Sequence, residues 1–219
     1  MRYLLLVLSM LLLPATSARA DVNVSVAIAI PGVSIGINVP AYPRLVRVPG
    51  YPVYYDPAIR LNLFFYDGLY WVFQSDRWYV SSWYNGPWDL VDPYDVPAYI
   101  LLVPVRYYRV PPPYFHGWRV DAPPRWDTHW GREWQDRRKD WEHPDRRVAP
   151  PPAPLPSYQR KYSGKSYPRE LEQQRSIRTE RYRYEPREAV TQKHYQKQHP
   201  QGGAPGQQKK RDERGQDHR

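Results

Sequence analysis

Residues 61–88 read LNLFFYDGLYWVFQSDRWYVSSWYNGPW, and three short aromatic runs in this stretch are separated by turn residues. The Asp-Gly pair at 67–68 is preferred in two-residue type I′ turns, so the first two runs are predicted to form a β-hairpin. A four-residue loop at 74–77 then reverses the chain again. The stretch therefore predicts a three-stranded antiparallel meander over residues 61–83.

The register of this meander assigns every side chain to one of two faces, because directly opposed residues in a sheet lie on the same face. Phe64 is predicted opposite Trp71, and Phe73 opposite Trp78. One face then carries Phe64, Tyr66, Leu69, Trp71, Phe73, Trp78 and Val80, and the other carries Leu63, Phe65, Tyr70, Val72, Tyr79 and Ser81. Because both faces are apolar, either a second layer covers each of them or one face remains open for a ligand.

Three further elements complete the predicted domain. Residues 22–39 alternate apolar and small polar side chains around a Pro-Gly pair, which predicts a hairpin. Residues 98–110 predict another strand, bent at its proline. Tryptophans at intervals of four, four and seven predict one amphipathic helix over residues 127–142, with its indole stripe packed on the sheet. The predicted fold class is mainly β: a small antiparallel, aromatic-rich sheet with one helix.

Residues 1–20 have the features of a secretory signal peptide. Arg2 precedes an apolar run at 3–13, and the small residues Ala18 and Ala20 mark a cleavage site after position 20. The run of eleven residues is shorter than the roughly 20 that span a bilayer, and no later stretch approaches that length. We therefore expect an exported protein, periplasmic or associated with the outer envelope, with no transmembrane segment in its mature chain.

Charge divides the rest of the chain. The formal net charge is +10, but residues 21–147 carry 14 basic and 14 acidic side chains, whereas residues 148–219 carry 16 and 8. The later part begins with a proline-rich linker, 148–157, and continues as a basic segment, 158–219, with few large apolar residues. Such a composition predicts a long disordered C-terminal tail after the domain at 21–147. The absence of cysteine excludes disulfide scaffolds, thiolate zinc sites and a lipoprotein anchor.

Several Tyr- and Trp-rich motifs resemble a family of small exported proteins of Gram-negative bacteria. They are GINVPAYPRLVRVPGYPVYYDP at 36–57, FFYDGLYWVFQSDRWYVSSWYNGPW at 64–88, PVRYYRVP at 104–111 and WGREW at 130–134. The resemblance covers roughly residues 21–195. It implies residence in the periplasm or outer envelope, and it brings no catalytic residues to this chain.

Motifs of catalysis are missing from the sequence. It contains no Gly-x-Ser-x-Gly, no phosphate-binding glycine loop and no cysteine nucleophile. The aspartates of the domain stand in turn contexts, and its histidines have no pair at the spacing of helical metal ligands. We therefore predict a protein that is not an enzyme, with no catalytic residues, no metal and no other cofactor.

Two sets of residues are candidates for binding. Aromatic rings on a sheet stack on sugars, which suggests a carbohydrate site, although the same side chains would serve equally as core and turn residues. The members of this set are Arg77, Tyr79, Trp83, Tyr84, Asn85 and Trp88. The second set interleaves cations with tyrosine or clusters them near the C-terminus, and consists of Arg181, Arg183, Lys209, Lys210 and Arg211.

Cations interleaved with aromatics are typical of single-strand nucleic-acid binders, but export argues against a dedicated nucleic-acid partner. The expected partners are anionic envelope polymers or glycans, with a merely solubilising tail as the alternative. The predicted function is accordingly a non-enzymatic binding or structural role in the envelope, exerted through the aromatic module and the cationic tail. A carbohydrate-recognition module is one alternative, and an envelope enzyme or assembly factor is another.

Overall fold

The computed structural model of the chain describes residues 36–144 and 149–199. Its centre is one six-stranded sheet in which each strand is antiparallel to the next in chain order. The strands are β1 (Val46–Arg47), β2 (Val53–Tyr55), β3 (Asn62–Tyr66), β4 (Leu69–Gln74), β5 (Arg77–Ser81) and β6 (Asp89–Val91). The helices are α1 (Ala98–Leu101), α2 (Trp126–Arg137), α3 (Leu171–Arg181) and α4 (Ala189–Gln198). The mainly β fold class is thus confirmed.

The predicted meander forms β3, β4 and β5 with the expected register. Phe64 pairs with Trp71 and Phe73 with Trp78. The second turn is tighter than predicted, because Gln74 pairs with Arg77 and leaves a two-residue turn. Its residues at 75 and 76 both have positive φ angles, 50° and 60°, as a type I′ turn requires.

The first face of the sheet is the one that carries Phe64, Trp71 and Trp78, and it is covered by α1, α2 and the turns between them. The prediction of a strand over residues 98–110 is wrong, because this segment forms α1 and then a single 3₁₀ turn, Val105–Tyr107. A proline stands immediately before each of the two turns of helix, and an apolar run of this length does not by itself distinguish strand from helix. Its residues Ile100 and Leu101 are fully buried against the sheet.

The predicted tryptophan helix is present but shorter, as α2. It begins one residue earlier than predicted and ends at Arg137, where Arg138 leaves helical geometry with φ −124° and ψ 38°. It is not one continuous helix as predicted, because Gly131, with φ 80° and ψ −177°, divides it into two helical segments. The apolar side chains of α1 and α2 are buried together with those of the first face of the sheet, and we call this group the first-face cluster. It includes three tryptophans of the predicted stripe: Trp126, Trp134 and Trp141. The indole stripe therefore packs on the sheet, as the sequence predicted.

The C-terminal layer, which we define as residues 149–199, covers the second face and also reaches the first. Tyr167 and Tyr184 pack with the apolar side chains buried on the second face, which we call the second-face cluster, whereas Tyr195 packs against the first-face cluster and His194 meets the ring of Trp71. The prediction that the chain is disordered beyond the linker is wrong for residues 158–199, which form two 3₁₀ turns, α3 and α4. The linker also packs, since Ala153 is buried with the second-face cluster. Residues 200–219 lie outside the described residues.

The predicted hairpin at 22–39 lies mostly outside the described residues. Its last part, 36–39, forms no strand in the described portion, but Ile37 and Val39 are buried beside the second face. Both faces of the sheet are therefore covered, which decides between the two alternatives that the sequence left open.

Candidate functional site

The predicted carbohydrate platform is buried. The rings of Tyr79, Trp83, Tyr84 and Trp88 are between 0 and 3% exposed, so they cannot present a flat surface to a sugar, and that prediction is wrong for these four side chains. The sequence did not indicate this burial, because the residues that cover the rings come from the segment predicted to be disordered.

Tyrosines of the C-terminal layer occupy the space above Trp83. Tyr158, Tyr162 and Tyr167 meet its indole edge to face, with ring centroids 5.7, 5.4 and 5.8 Å away. The indole N–H donates to the backbone oxygen of Gln174, 3.3 Å away. The protein thus fills the predicted platform with its own aromatic side chains, whose edge-to-face contacts are individually favourable.

Two members of the predicted platform keep some access to solvent. Arg77 is exposed at the start of β5, and Asn85 is half-buried in the turn after it. Asn85 Oδ1 accepts the backbone N–H of Val39 at 2.6 Å, and the Asn85 backbone N–H donates to the hydroxyl of Tyr167 at 3.2 Å. Arg77 and Asn85 belong to different ends of β5 and its flanking turns, so the structure does not join the six predicted residues into one site.

Buried glutamines hold the C-terminal layer to the sheet. Gln159 accepts hydrogen bonds from the hydroxyl of Tyr70 and the backbone N–H of Tyr84, and it donates to the backbone oxygen of Ser82. Gln198 makes equivalent bonds with the backbone of Ser82 and Val80. Without these glutamines, backbone groups at the end of β5 would be buried without hydrogen-bond partners. Their partners are side chains that lie about 75 to 118 positions later in the chain.

The turn between β3 and β4 anchors the same layer through a carboxylate. Asp67 accepts the hydroxyl hydrogen of Tyr184 at 2.7 Å and the backbone N–H groups of Arg187 and Glu188 at 2.9 Å. Glu188 in turn accepts the hydroxyl hydrogen of Tyr66 at 2.5 Å. Burial raises the pKa of both carboxyl groups, and in Glu188 the neighbouring charge of Asp67 raises it further. Residues 182–188 are therefore fixed in position immediately before α4.

A second polar cluster fastens α2 to the turn between β4 and β5. Asp76 Oδ1 accepts the hydroxyl hydrogen of Tyr114 at 2.6 Å and lies 2.7 Å from His129 Nε2. The rings of Tyr114 and His129 are stacked with centroids 4.0 Å apart. Burial, followed by the hydrogen bond to Asp76, raises the pKa of Tyr114. Both donors converge on one carboxylate oxygen, an arrangement that ties the turn to α2.

The anchored segment after α3 exposes a row of arginines. Along residues 181–187, the exposed side chains are Arg181, Arg183, Glu185 and Arg187, whereas Tyr182 is buried and Tyr184 is half-buried. Tyr182 has extended backbone angles, φ −142° and ψ 96°, and extended residues two apart lie about 6.6 Å from each other on the same side. We call the three arginines the basic ridge. Of the predicted cationic set, it contains Arg181 and Arg183.

The surroundings of the basic ridge are positive overall. The C-terminal layer carries eleven Lys and Arg against five Glu, whereas residues 36–144 carry twelve basic and twelve acidic side chains. Arg181 is paired with Glu180 at 3.1 Å. Within the described residues, the structure records no carboxylate partner for the guanidinium groups of Arg183 and Arg187. The predicted contacts Lys209, Lys210 and Arg211, and the cleavage-site residues Ala18 and Ala20, lie outside the described residues.

A small polar pocket of about 270 Å³ lies beside the turn after β5. Its lining residues are Asn38, Pro40, Tyr84, Asn85, Gly164, Tyr167 and Arg169. We call it the amide pocket, after the two asparagine side chains. Two of the six residues predicted for carbohydrate binding, Tyr84 and Asn85, thus line a pocket, but the other five lining residues escaped sequence analysis because they are distant in the chain.

Other features of the described residues can be stated briefly. Within 36–144 and 149–199, no group of three or more His, Cys, Asp or Glu side chains is placed to hold a metal ion. Among the same residues, no helix has the length and apolar character needed to cross a membrane. Comparisons of the chain with models of protein families, with curated proteins and with solved structures find no match.

Proposed function

We propose that this protein is an exported envelope protein with a binding role, and that its basic ridge holds an anionic envelope polymer such as lipopolysaccharide. The proposal of export rests on the signal features of residues 1–20 and on the resemblance described above. The proposal of binding rests on the C-terminal layer, in which excess positive charge is concentrated on a folded surface.

The observation that carries the proposal is the alternation along residues 181–187. Tyr182 is turned into the protein, where its hydroxyl donates to the backbone oxygen of Pro154, and Tyr184 is bound to Asp67. Arg181, Arg183 and Arg187 face solvent, with the single carboxylate of Glu185 exposed among them. Cations are therefore available to a partner and aromatic rings are not, which favours a phosphate- or carboxylate-bearing polymer over unstacked nucleic-acid bases.

The backbone beneath the basic ridge is held in place. Because Asp67 accepts the hydroxyl hydrogen of Tyr184 and the backbone N–H of Arg187, the backbone of this segment is positioned before any ligand arrives. Preorganisation of this kind lowers the entropic cost of binding.

The experiment is co-sedimentation of the mature protein with purified lipopolysaccharide. The triple variant R181Q/R183Q/R187Q is expected to bind at least about tenfold more weakly than wild type, which corresponds to roughly 1.4 kcal/mol. For three neutralised phosphates, raising NaCl from about 0.05 to 0.5 M is expected to weaken wild-type binding by roughly a hundredfold.

The matched control is R119Q/R125Q/R132Q, which removes the same charge from exposed arginines outside the C-terminal layer. Equal losses in the two triple variants would mean that only net charge matters and would contradict a site at the basic ridge. Export is tested separately by the intact mass of protein from a periplasmic extract, which is expected to begin at Asp21.

A further inference from the structure

We propose that the amide pocket binds one acidic sugar unit, a pyranose ring that carries a carboxylate or a phosphate. The inference deepens the proposed function and rests on it for the choice of an envelope polymer as the source of the ligand. The residues that carry it are one half-buried aromatic ring, two side-chain amides and one guanidinium group.

The aromatic rings form a corner. Tyr84 and Tyr167 meet edge to face, with centroids 5.2 Å apart and planes at 77°. Their hydroxyl groups are already engaged, since Tyr84 donates to the backbone oxygen of Tyr162, and Tyr167 donates to that of Gly86 at 2.6 Å. Tyr84 is buried and serves to fix the ring of Tyr167, so what the corner offers a ligand is the apolar surface of the half-buried Tyr167 ring, against which the C–H groups of a sugar pack.

The side-chain amides of Asn38 and Asn85 supply hydrogen-bond donors and acceptors for the hydroxyl groups of a sugar. Asn85 is held in one orientation because its Oδ1 accepts the backbone N–H of Val39 at 2.6 Å, which leaves Nδ2 as a donor towards the pocket rim. That Nδ2 lies 3.5 Å from Oδ1 of Asn38, at the outer limit of a hydrogen bond. Asn38 is exposed, so its amide is accessible from solvent. A side-chain amide both donates and accepts, as sugar hydroxyls require.

The charge of the amide pocket selects an acidic ligand. Arg169 is exposed and is its cationic lining residue, and no carboxylate is among the described residues that line it. Two exposed charges adjoin the lining residues in the chain, Lys165 after Gly164 and Glu170 after Arg169, and they offset each other. A guanidinium group binds carboxylate or phosphate through two parallel hydrogen bonds. The volume of about 270 Å³ lies below the usual range for drug-sized ligands and suits a single ring.

The test is a titration followed by the side-chain amide resonances of Asn38 and Asn85 in ¹⁵N-labelled mature protein. Three probes are compared: digalacturonic acid, which is an acidic disaccharide, cellobiose, which is neutral, and inorganic phosphate. Saturable shifts with digalacturonic acid are expected, with a Kd of about 1 mM or below. Arg169→Gln is expected to weaken that binding at least fivefold, and Arg119→Gln, at an exposed position outside the C-terminal layer, serves as the control that keeps it.

Each other outcome overturns the inference. If cellobiose bound as tightly as digalacturonic acid, the pocket would not distinguish an acidic sugar from a neutral one. If inorganic phosphate bound as tightly, the pocket would be an anion site that does not recognise the sugar. The absence of saturable shifts would show that the pocket is not a binding site. Failure here is distinguishable from failure of the proposed function, because binding of lipopolysaccharide depends on the basic-ridge variants and binding of the disaccharide on Arg169→Gln.

Discussion

The carboxylate of Asp67 accepts a hydrogen bond from the backbone N–H of Glu188, 121 positions later in the chain and 2.9 Å away. A residue that sequence analysis reads as a turn former therefore also anchors the C-terminal layer. Asp67 is 1% exposed, and its carboxylate receives hydrogen bonds from two backbone N–H groups and one tyrosine hydroxyl.

Asp67→Ala is expected to lower the free energy of unfolding by about 2–4 kcal/mol, because it leaves buried donors without an acceptor. Urea denaturation of the mature protein measures this. Ser75→Ala is the matched control, since Ser75 also has a positive φ angle in a two-residue turn, but its side chain is exposed. The control is expected to lose about 1 kcal/mol or less. Similar losses in the two variants would mean that turn conformation, and not docking of the C-terminal layer, accounts for the effect.

The buried carboxyl of Glu188 gives stability a defined dependence on pH. Burial raises its pKa above the ordinary 4.5, so the folded protein holds this proton at pH values where the unfolded chain has released it. Stability from this group is therefore fully present at low pH and falls as pH rises through the window above 4.5. Glu188→Gln, which cannot ionise, is expected to gain in stability relative to wild type between pH 4 and pH 7.

Urea denaturation at several pH values in that range gives the difference between the two proteins. Glu185→Gln is the control, because Glu185 is exposed three positions earlier in the same segment. A difference between Glu188→Gln and wild type that is constant or shrinks with pH would contradict the assignment.

Gln159 is expected to be the most sensitive polar residue of the C-terminal layer. Gln159→Leu substitutes an apolar side chain of similar size and leaves the Tyr70 hydroxyl, the Ser82 carbonyl and the Tyr84 N–H without their partner. We expect a loss of about 2–4 kcal/mol in the free energy of unfolding. Gln173→Leu, at an exposed position of α3, is expected to change it by less than about 0.5 kcal/mol. Comparable values for both would show that the buried hydrogen bonds contribute little.

The sequence predicted the central meander because its signals are local. Turn dipeptides and alternating aromatics lie within about thirty residues, and the register follows from opposed positions. The strand over 98–110 was predicted wrongly, since a short apolar run between prolines fits either a strand or a buried helix.

The C-terminal layer was missed for a different physical reason. Disorder was inferred from the scarcity of large aliphatic residues, but this layer packs through tyrosine rings and through amides that satisfy backbone groups of the sheet. Tyr167 and Gln174, for example, both donate to the backbone oxygen of Gly86. Such contacts depend on where the sheet places its unpaired groups, which composition does not show. The Arg-Tyr alternation at 181–184 was visible in the sequence, but which side chains face solvent is decided by the anchor at Asp67.

Arg178 is a buried cation of the C-terminal layer. Its replacement by lysine tests whether stability requires the planar guanidinium group or only the positive charge. Arg178 is 1% exposed, its guanidinium lies over the rings of Tyr182 and Tyr195 at 4.7 and 5.1 Å, and Nη2 donates to the backbone oxygen of Gly68 at 3.3 Å. Arg178→Lys keeps the charge but replaces a planar, weakly hydrated group with a compact, strongly hydrated one. We expect a loss of about 1–3 kcal/mol in the free energy of unfolding.

The exposed Arg181→Lys is the matched control for Arg178→Lys, with an expected change below about 0.5 kcal/mol in the same urea denaturation. If the two lysine variants were equally stable, charge alone would suffice at position 178 and the planar shape of the guanidinium would contribute nothing. A loss confined to Arg178→Lys instead means that the contacts of the guanidinium with the two tyrosine rings and with the Gly68 carbonyl contribute to stability. The C-terminal layer would then depend on the same aromatic contacts as the two faces of the sheet.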